Sequence, residues 1–523
     1  MIDKCIKQSP VFSEFTPSEQ NYHFDLKKEK VMAHVDTLYY ACFICGDSNA
    51  CEENMQALLD QLKALKSQKA ADYNSYVEFF GLSVENVRFS NYEYCLRLEE
   101  NFDIFISSYL PNDFTPRIIV QLRTRTLILD GACQAICKSF RKVEDILSVF
   151  GLVIDRVQEN RIDYAYHTNL IQNPYKFLND EMLIKKMKTK IRLYTKVGNV
   201  GKTMDIDYLA LGSRRSNDVF IRIYNKSREV VEKNYKSFFF DKWLQDGLIN
   251  RYDHYVYKKA YESGSYLTGL LVGRIDWYLD HGTNPEIKDK LLKVKSSSYV
   301  NSDNTDQLKK IVDELLPPVT LIVNIEFQTK RKFYSSLDEW MSKFAIAVVK
   351  DGKLQDFLDD KEIPLYRLHR ILTLRSEICN YLTSETLSFV ENKGTKKEKL
   401  CYFWQRINQC YIEEYEQRIL DLFRCHERIT DVERSKRRVC GTVAQLSILK
   451  SGNFEKSNFK EDISDVLCSL NDNDFYGFSV NPDTGQEPTL NPKDYDVIKK
   501  RKQRQYRSIF RHQKENLNEN EKK

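Results

Sequence analysis

Between Val219 and Lys226 the chain alternates apolar and functional side chains. In an extended strand Val219, Ile221 and Ile223 share one face, and Phe220, Arg222, Tyr224 and Lys226 share the other. A tyrosine flanked by two cations on one face has the parts of a phosphate-attacking nucleophile. The cations favour the ionised phenol, whose ordinary pKa is about 10, and they attract a phosphodiester. An ordinary strand tyrosine beside solvated basic residues fits the same spacing, so alternation alone leaves both readings open. The preceding segment, Ser213 to Asp218 (SRRSND), is turn-forming and feeds directly into the strand.

Three motifs occur in one order along the chain: RIDYAYH at Arg161–His167, LGSRRSNDVFIRIYNK at Leu211–Lys226, and RYDHYVYK at Arg251–Lys258. Together they resemble the replication initiation factor family, which serves rolling-circle plasmids, filamentous phages and the related relaxases of conjugative elements. The resemblance covers roughly residues 30 to 280, and the tyrosine segment is its most specific part. It implies a rolling-circle initiator, a metal-dependent DNA strand transferase acting on single-stranded or extruded origin DNA. Tyr224 would be the nucleophile, leaving a 5′-phosphotyrosine and a free 3′-OH primer. Attack by a side chain keeps the phosphodiester energy in a covalent intermediate, so the strand is rejoined without ATP. Arg222 and Lys226 would neutralise charge at the reacting phosphate, and Arg214 and Arg215 would grip its neighbours.

The resemblance also implies a divalent cation, Mg²⁺ or Mn²⁺, on oxygen ligands. Asp163 matches the family's acidic position in RIDYAYH, and Asp36 in HVDTL resembles its early acid. Asp253 stands where relatives commonly carry Glu, and His167 where they often carry a second acid. Asp163 beside Arg161 also has the pattern of an ion pair on a strand face, with the ligand reading preferred.

These residues need a sheet to hold them. HVDTLYYACFIC from His34, Val87–Leu98, Thr115–Leu129, RIDYAYH, Ile191–Tyr194, Met204–Leu211, Val219–Lys226 and Arg251–Tyr257 read as strands. Helical spacing covers Glu52–Asn74, Ala132–Phe150, Lys176–Lys190 and Ser227–Gly247. The expected fold is α+β, a largely antiparallel mixed sheet with packed helices in the N-terminal half and a mainly helical C-terminal region. The expected organisation is a polar lead-in (1–30), a nicking domain (31–280), a linker (296–306), a mainly helical accessory region (307–492) and a basic, disordered tail (493–523). Pro317–Ala347 would add a strand at Val319–Phe327 and a helix.

With 523 residues, 42% hydrophobic and 30% charged, the chain reads as a globular protein, and neither a signal peptide core nor a membrane-spanning run is evident. A cytoplasmic protein without membrane contact is the expectation. Thirteen scattered cysteines, with only Cys42, Cys45 and Cys51 close together, form no zinc spacing and read as reduced thiols. Net charge is only +5, yet residues 182–236 hold 14 Lys/Arg against 5 Asp/Glu, and residues 499–514 hold 8 and no acid. Concentrated charge of this kind suits phosphate contacts, which in the tail would come from Lys500, Arg501 and Arg504.

A relaxase of a conjugative element with the same chemistry fits the sequence equally well. A catalytically inactive origin-binding protein of the same fold is a further alternative. No GxxxxGK[ST] P-loop makes the chain its own helicase; the helical C-terminal region could recruit a host helicase or bind the origin duplex, and the resemblance implies a homodimer.

Overall fold

A computed structural model describes residues 6–410, except for 26–28, 45–48, 72–75, 87–90, 109–115, 192–193, 201–203, 216, 233–235, 297–304 and 337–364. It also describes the strand pair Tyr476–Ser479 and Thr489–Pro492 and a few isolated positions after 410. The chain divides into two units, Met1–Arg424 and Cys425–Lys523. The sheet that carries the tyrosine segment belongs to the first.

That sheet has eleven strands, and every pairing in it is antiparallel. In chain order the strands are β1 (Val31–Ile44), β2 (Glu78–Phe79), β3 (Leu82–Glu85), β4 (Tyr94–Leu98), β5 (Phe102–Ile106), β6 (Ile118–Leu122), β7 (Ile154–Thr168), β9 (Tyr194–Val200), β10 (Met204–Leu211), β11 (Val219–Asn225) and β12 (Val323–Lys330). β8 (Met187–Thr189) pairs instead with Leu387–Glu391. Across the sheet the order is β2-β3-β4-β5-β6-β1-β7-β12-β11-β10-β9. Mixed α/β architecture with a large antiparallel sheet is therefore the fold.

The central strands alternate strictly. Ile162, Tyr164 and Tyr166 of β7, Ile325 and Phe327 of β12, and Ile221 and Ile223 of β11 enter one large apolar core. Helix Ala132–Val149 packs into that core through Ala135, Ile136, Phe140, Val143 and Leu147. The opposite face is polar: Asp163 and His167 on β7, Asn324, Glu326 and Gln328 on β12, and Arg222 and Tyr224 on β11. A second apolar cluster, built by helices Phe238–Gln245, Arg251–Ser263, Tyr266–His281 and Thr305–Leu315, covers part of that side.

Three expectations are corrected. Arg251–Tyr257 is helix, not strand. Its aromatic and β-branched composition suggested a strand, but Tyr252, Val256, Tyr257 and Ala260 recur at helical spacing, and Asn250 with Asp253 forms a capping box. Thr115–Leu129 is not one strand: β6 ends at Leu122 and Thr124–Leu129 is helical. Lys176–Lys190 is two short helices, Pro174–Asn179 and Glu181–Lys186, followed by β8.

The sheet also does not end at residue 280. β12 lies between β7 and β11, and Leu368, Ile371, Leu382 and Trp404 are buried in the same core as the sheet. The expected linker falls mostly outside the described residues, and 305–306 already belong to helix Thr305–Leu315. Among the described residues no helix is long and apolar enough to cross a membrane.

Candidate active site

The hairpin β10–β11 brings the tyrosine segment to the sheet. Gly212 takes φ +85°, a backbone that a side chain would strain, and Asn217 Oδ1 accepts from Ser213 N at 2.7 Å to close the turn. Strand β11 then pairs with β12 so that Arg222 faces Glu326 and Tyr224 faces Asn324. Beyond β12, β7 sets Asp163 opposite Gln328 and His167 opposite Asn324.

Asp36 arrives through a β-bulge. Between Val35 and Thr37 the register of β1 against β7 slips by one residue, so Val35 and Leu38 both face the core while Asp36 and Thr37 both line the polar side. The result is an open cavity of about 530 Å³. Asp36, Asp163, Arg161, Arg222, Tyr224 and Glu229 lie along one part of its wall, with Asp103, Arg123, Arg125 and Phe105 along another.

Tyr224 holds the centre of a dense hydrogen-bond network. Its hydroxyl accepts from Asn324 Nδ2 at 2.9 Å and more weakly from Lys226 Nζ at 3.5 Å. It donates toward Glu326 Oε2 at 3.2 Å and Glu229 Oε2 at 3.3 Å. Both flanking cations are already paired: Arg222 Nη2 lies 2.6 Å from Glu326 Oε1, and Lys226 Nζ lies 2.6 Å from Glu229 Oε2. Lys236 binds the other oxygen of Glu229 at 2.6 Å.

Lys226 is not on the strand face, as the alternation suggested. The strand ends at Asn225, and Lys226 is the first residue of helix Lys226–Glu232, fully buried with its ammonium turned back to the phenol. The paired cations also overturn the expected effect on the tyrosine. Burial pushes the Tyr224 phenol well above its ordinary range, and Glu229 and Glu326 add to the rise against Lys226 and Arg222.

The carboxylates are tuned apart. Burial raises Glu229, but Lys226 and Lys236 outweigh it and bring the group down to about 2. Burial likewise raises Asp36, yet Lys226 and His34 hold it well below the carboxylate range. Asp163 is pushed up to about 7 by burial, against the forked hydrogen bonds it accepts from Arg161, one of them at 2.8 Å from Nε.

Of the metal ligands expected from the resemblance, Asp36 and Asp163 meet in the cavity and Asp253 does not. Asp253 is the fourth residue of a capping box: its Oδ2 accepts from Asn250 N at 3.2 Å and its Oδ1 from Thr320 N at 2.9 Å. Both oxygens thus serve backbone N–H groups in a fully buried corner. His167 is also structural. Trp243 Nε1 donates to its Nδ1 at 3.0 Å, and burial pushes the imidazole well below its ordinary pKa.

The donor set does not fit a ready divalent-cation site. Asp163 is engaged by Arg161, Glu326 by Arg222, and Glu229 by two lysines. Among the described residues no three His, Cys, Asp or Glu side chains converge as metal ligands. Arg214 and Arg215 are exposed in the hairpin turn, outside the cavity wall, with their carbonyls accepting from Lys330. Lys500, Arg501 and Arg504 lie outside the described residues.

Three residues that hydrogen-bond to the Tyr224 hydroxyl escaped sequence reasoning: Glu326, Asn324 and Glu229. Glu326 and Asn324 sit about a hundred positions after Tyr224, but the alternation Val323-Asn-Ile-Glu-Phe-Gln-Thr-Lys330 carried the signal of a strand with one polar face.

No protein-family model matches the chain, and no curated protein matches it. Among solved structures, a rolling circle replication initiator protein from Geobacillus stearothermophilus is similar over 72% of this chain and 96% of that one. Identity is 12% and the TM-score 0.30. A likeness that distant carries no argument about the site, which stands on its own geometry.

Proposed function

We propose that this chain nicks and rejoins one strand of DNA by transesterification at Tyr224, forming a 5′-phosphotyrosine and releasing a 3′-OH that primes rolling-circle replication. The observation that carries the reading is the position of the Tyr224 hydroxyl, in an open cavity and within reach of two cations and two carboxylates. A phosphodiester entering the cavity competes with Glu326 for Arg222, whose guanidinium has donors to share: its buried Nε has no hydrogen-bond partner among the described residues. Lys226, fixed behind the phenol, offsets charge on the oxygen as it attacks.

The chain's own residues therefore supply nucleophile, charge neutralisation and proton transfer. No step is routed through the divalent cation suggested by the resemblance, because the carboxylates present are committed to cations. Tyr224→Phe tests the reading on single-stranded oligonucleotides: cleavage should vanish while binding stays within a few-fold. Cleavage retained by the variant contradicts the assignment.

The raised phenol favours one competing reading, a binding protein of the same fold that no longer cuts. It predicts tight DNA binding without any covalent product from the unaltered chain.

A further inference from the structure

Resting on the nicking reading, we infer that Glu326 is the catalytic base that takes the Tyr224 proton and later returns it. The hydroxyl of Tyr224 has one hydrogen. Its acceptor side is occupied by Asn324 Nδ2 at 2.9 Å, so the proton points to a carboxylate, either Glu326 Oε2 at 3.2 Å or Glu229 Oε2 at 3.3 Å.

The two candidates are not equal. Both oxygens of Glu229 receive 2.6 Å bonds from lysine ammoniums, and those charges hold it down to about 2, which makes it a poor proton acceptor. Glu326 meets one cation through one oxygen. Its Oε1 binds Arg222, and among the described residues the only hydrogen-bond partner of its Oε2 is the phenol. Strand β12 fixes it: Glu326 is 1% exposed, paired to Arg222 on β11 and to Ala165 on β7. Glu229 thereby becomes a positioning residue that keeps Lys226 against the phenol.

The step balances without a co-reactant beyond water. The phenol O–H bond breaks as its oxygen bonds to phosphorus, and the proton passes to Glu326 Oε2. The P–O3′ bond breaks with its electron pair leaving on O3′, which water protonates. In rejoining, water takes the proton of the 3′-OH as its oxygen bonds to phosphorus, the bond from phosphorus to the Tyr224 oxygen breaks, and Glu326 gives its proton back to the departing phenolate. Charged and titratable groups that act on Glu326 are Arg222 and Tyr224 on β11 and Arg161 and Asp163 on β7.

The test begins with the full chain, Mn²⁺ and a pool of random single-stranded 40-mers. Adducts are sequenced, and the preferred strand is resynthesised with either a normal or a 3′-bridging phosphorothiolate linkage at the nick. For Glu326→Gln, which keeps size and a hydrogen-bond acceptor, adduct formation at pH 7 should slow about 100-fold or more. The rate should climb toward the unaltered protein as pH rises and hydroxide replaces the base. The same deficit should persist on the phosphorothiolate, whose sulfur leaves without a proton. A deficit independent of pH, one erased by the phosphorothiolate, or a rate within about threefold of the unaltered chain overturns the assignment.

If Glu326→Gln does not fold, 3,5-difluorotyrosine at position 224 of the otherwise unaltered chain carries the test. The acid limb of the adduct rate should then stay in place, because the phenol does not set it. A limb that follows the more acidic phenol downward overturns the inference. No adduct from the unaltered chain on any strand removes the nicking reading itself, and this inference with it.

Discussion

Arg222 and Glu326 face each other across β11 and β12, Nη2 2.6 Å from Oε1, while the second oxygen of that carboxylate accepts from the Tyr224 hydroxyl at 3.2 Å. On the proposed reading, one ion pair joins the residue that binds phosphate to the residue that takes the nucleophile's proton. On that reading, a phosphate that draws on Arg222 loosens its hold on Glu326, and substrate entry and nucleophile activation are coupled through a single guanidinium.

Lys226 is a buried cation compensated by Glu229 at 2.6 Å and Asp36 at 3.9 Å. Lys226→Met removes the charge and leaves both carboxylates without it. The expected loss of unfolding free energy is about 3–5 kcal/mol, measured by urea titration. A loss below about 1 kcal/mol would contradict the pairing.

Glu229 carries a pH signature. Its folded pKa falls from an ordinary 4.5 to about 2, so its contribution is present above about pH 4.5 and is lost as pH drops through 2. Glu229→Gln should flatten the stability profile across that window by roughly 3 kcal/mol. Urea midpoints between pH 2 and 5 read it, and an unchanged slope would contradict the two-lysine clamp.

Asp253→Ala deletes a capping carboxylate and frees the N–H groups of Asn250 and Thr320. Stability should fall by about 1–3 kcal/mol, with the Mn²⁺ concentration for half-maximal adduct formation unchanged. A steep rise in that concentration would return Asp253 to the role the resemblance gave it.

The basic segment 499–514 is tested by deletion of residues 493–523. If its 8 Lys/Arg meet phosphates, the slope of log affinity against log salt on single-stranded DNA should shrink by as much as about 6. An identical slope would show that the tail makes no DNA contact.

Much of the polar face was legible in the sequence because strand alternation is a local code. Arg222 and Tyr224, and Asp163 and His167 in RIDYAYH, share the face their side-chain period put them on, whereas Asp36 reaches it through a β-bulge and Lys226 through a helix start. What was not legible depended on contacts distant in sequence. Nothing local told that Glu326, some hundred residues on, would neutralise Arg222; Glu229, three residues after Lys226, pairs with it because the strand gives way to a helix at Lys226. Burial above all, with Glu229 and Glu326, raises the phenol despite its two flanking cations. RYDHYVYK failed differently: a short aromatic, β-branched run is ambiguous in period, and only the Asn250–Asp253 cap, visible as N-x-x-D, marked a helix start.

The central claim is a covalent bond between Tyr224 and DNA. Its most direct measurement is incubation of the chain with 5′- and 3′-labelled single strands and Mn²⁺, denaturing electrophoresis, and peptide mapping of any adduct. The account predicts a nucleotide attached through a 5′-phosphate to the peptide containing Tyr224, absent in Tyr224→Phe. An adduct at another residue, a 3′-phosphate linkage, or an adduct that survives the substitution would contradict it.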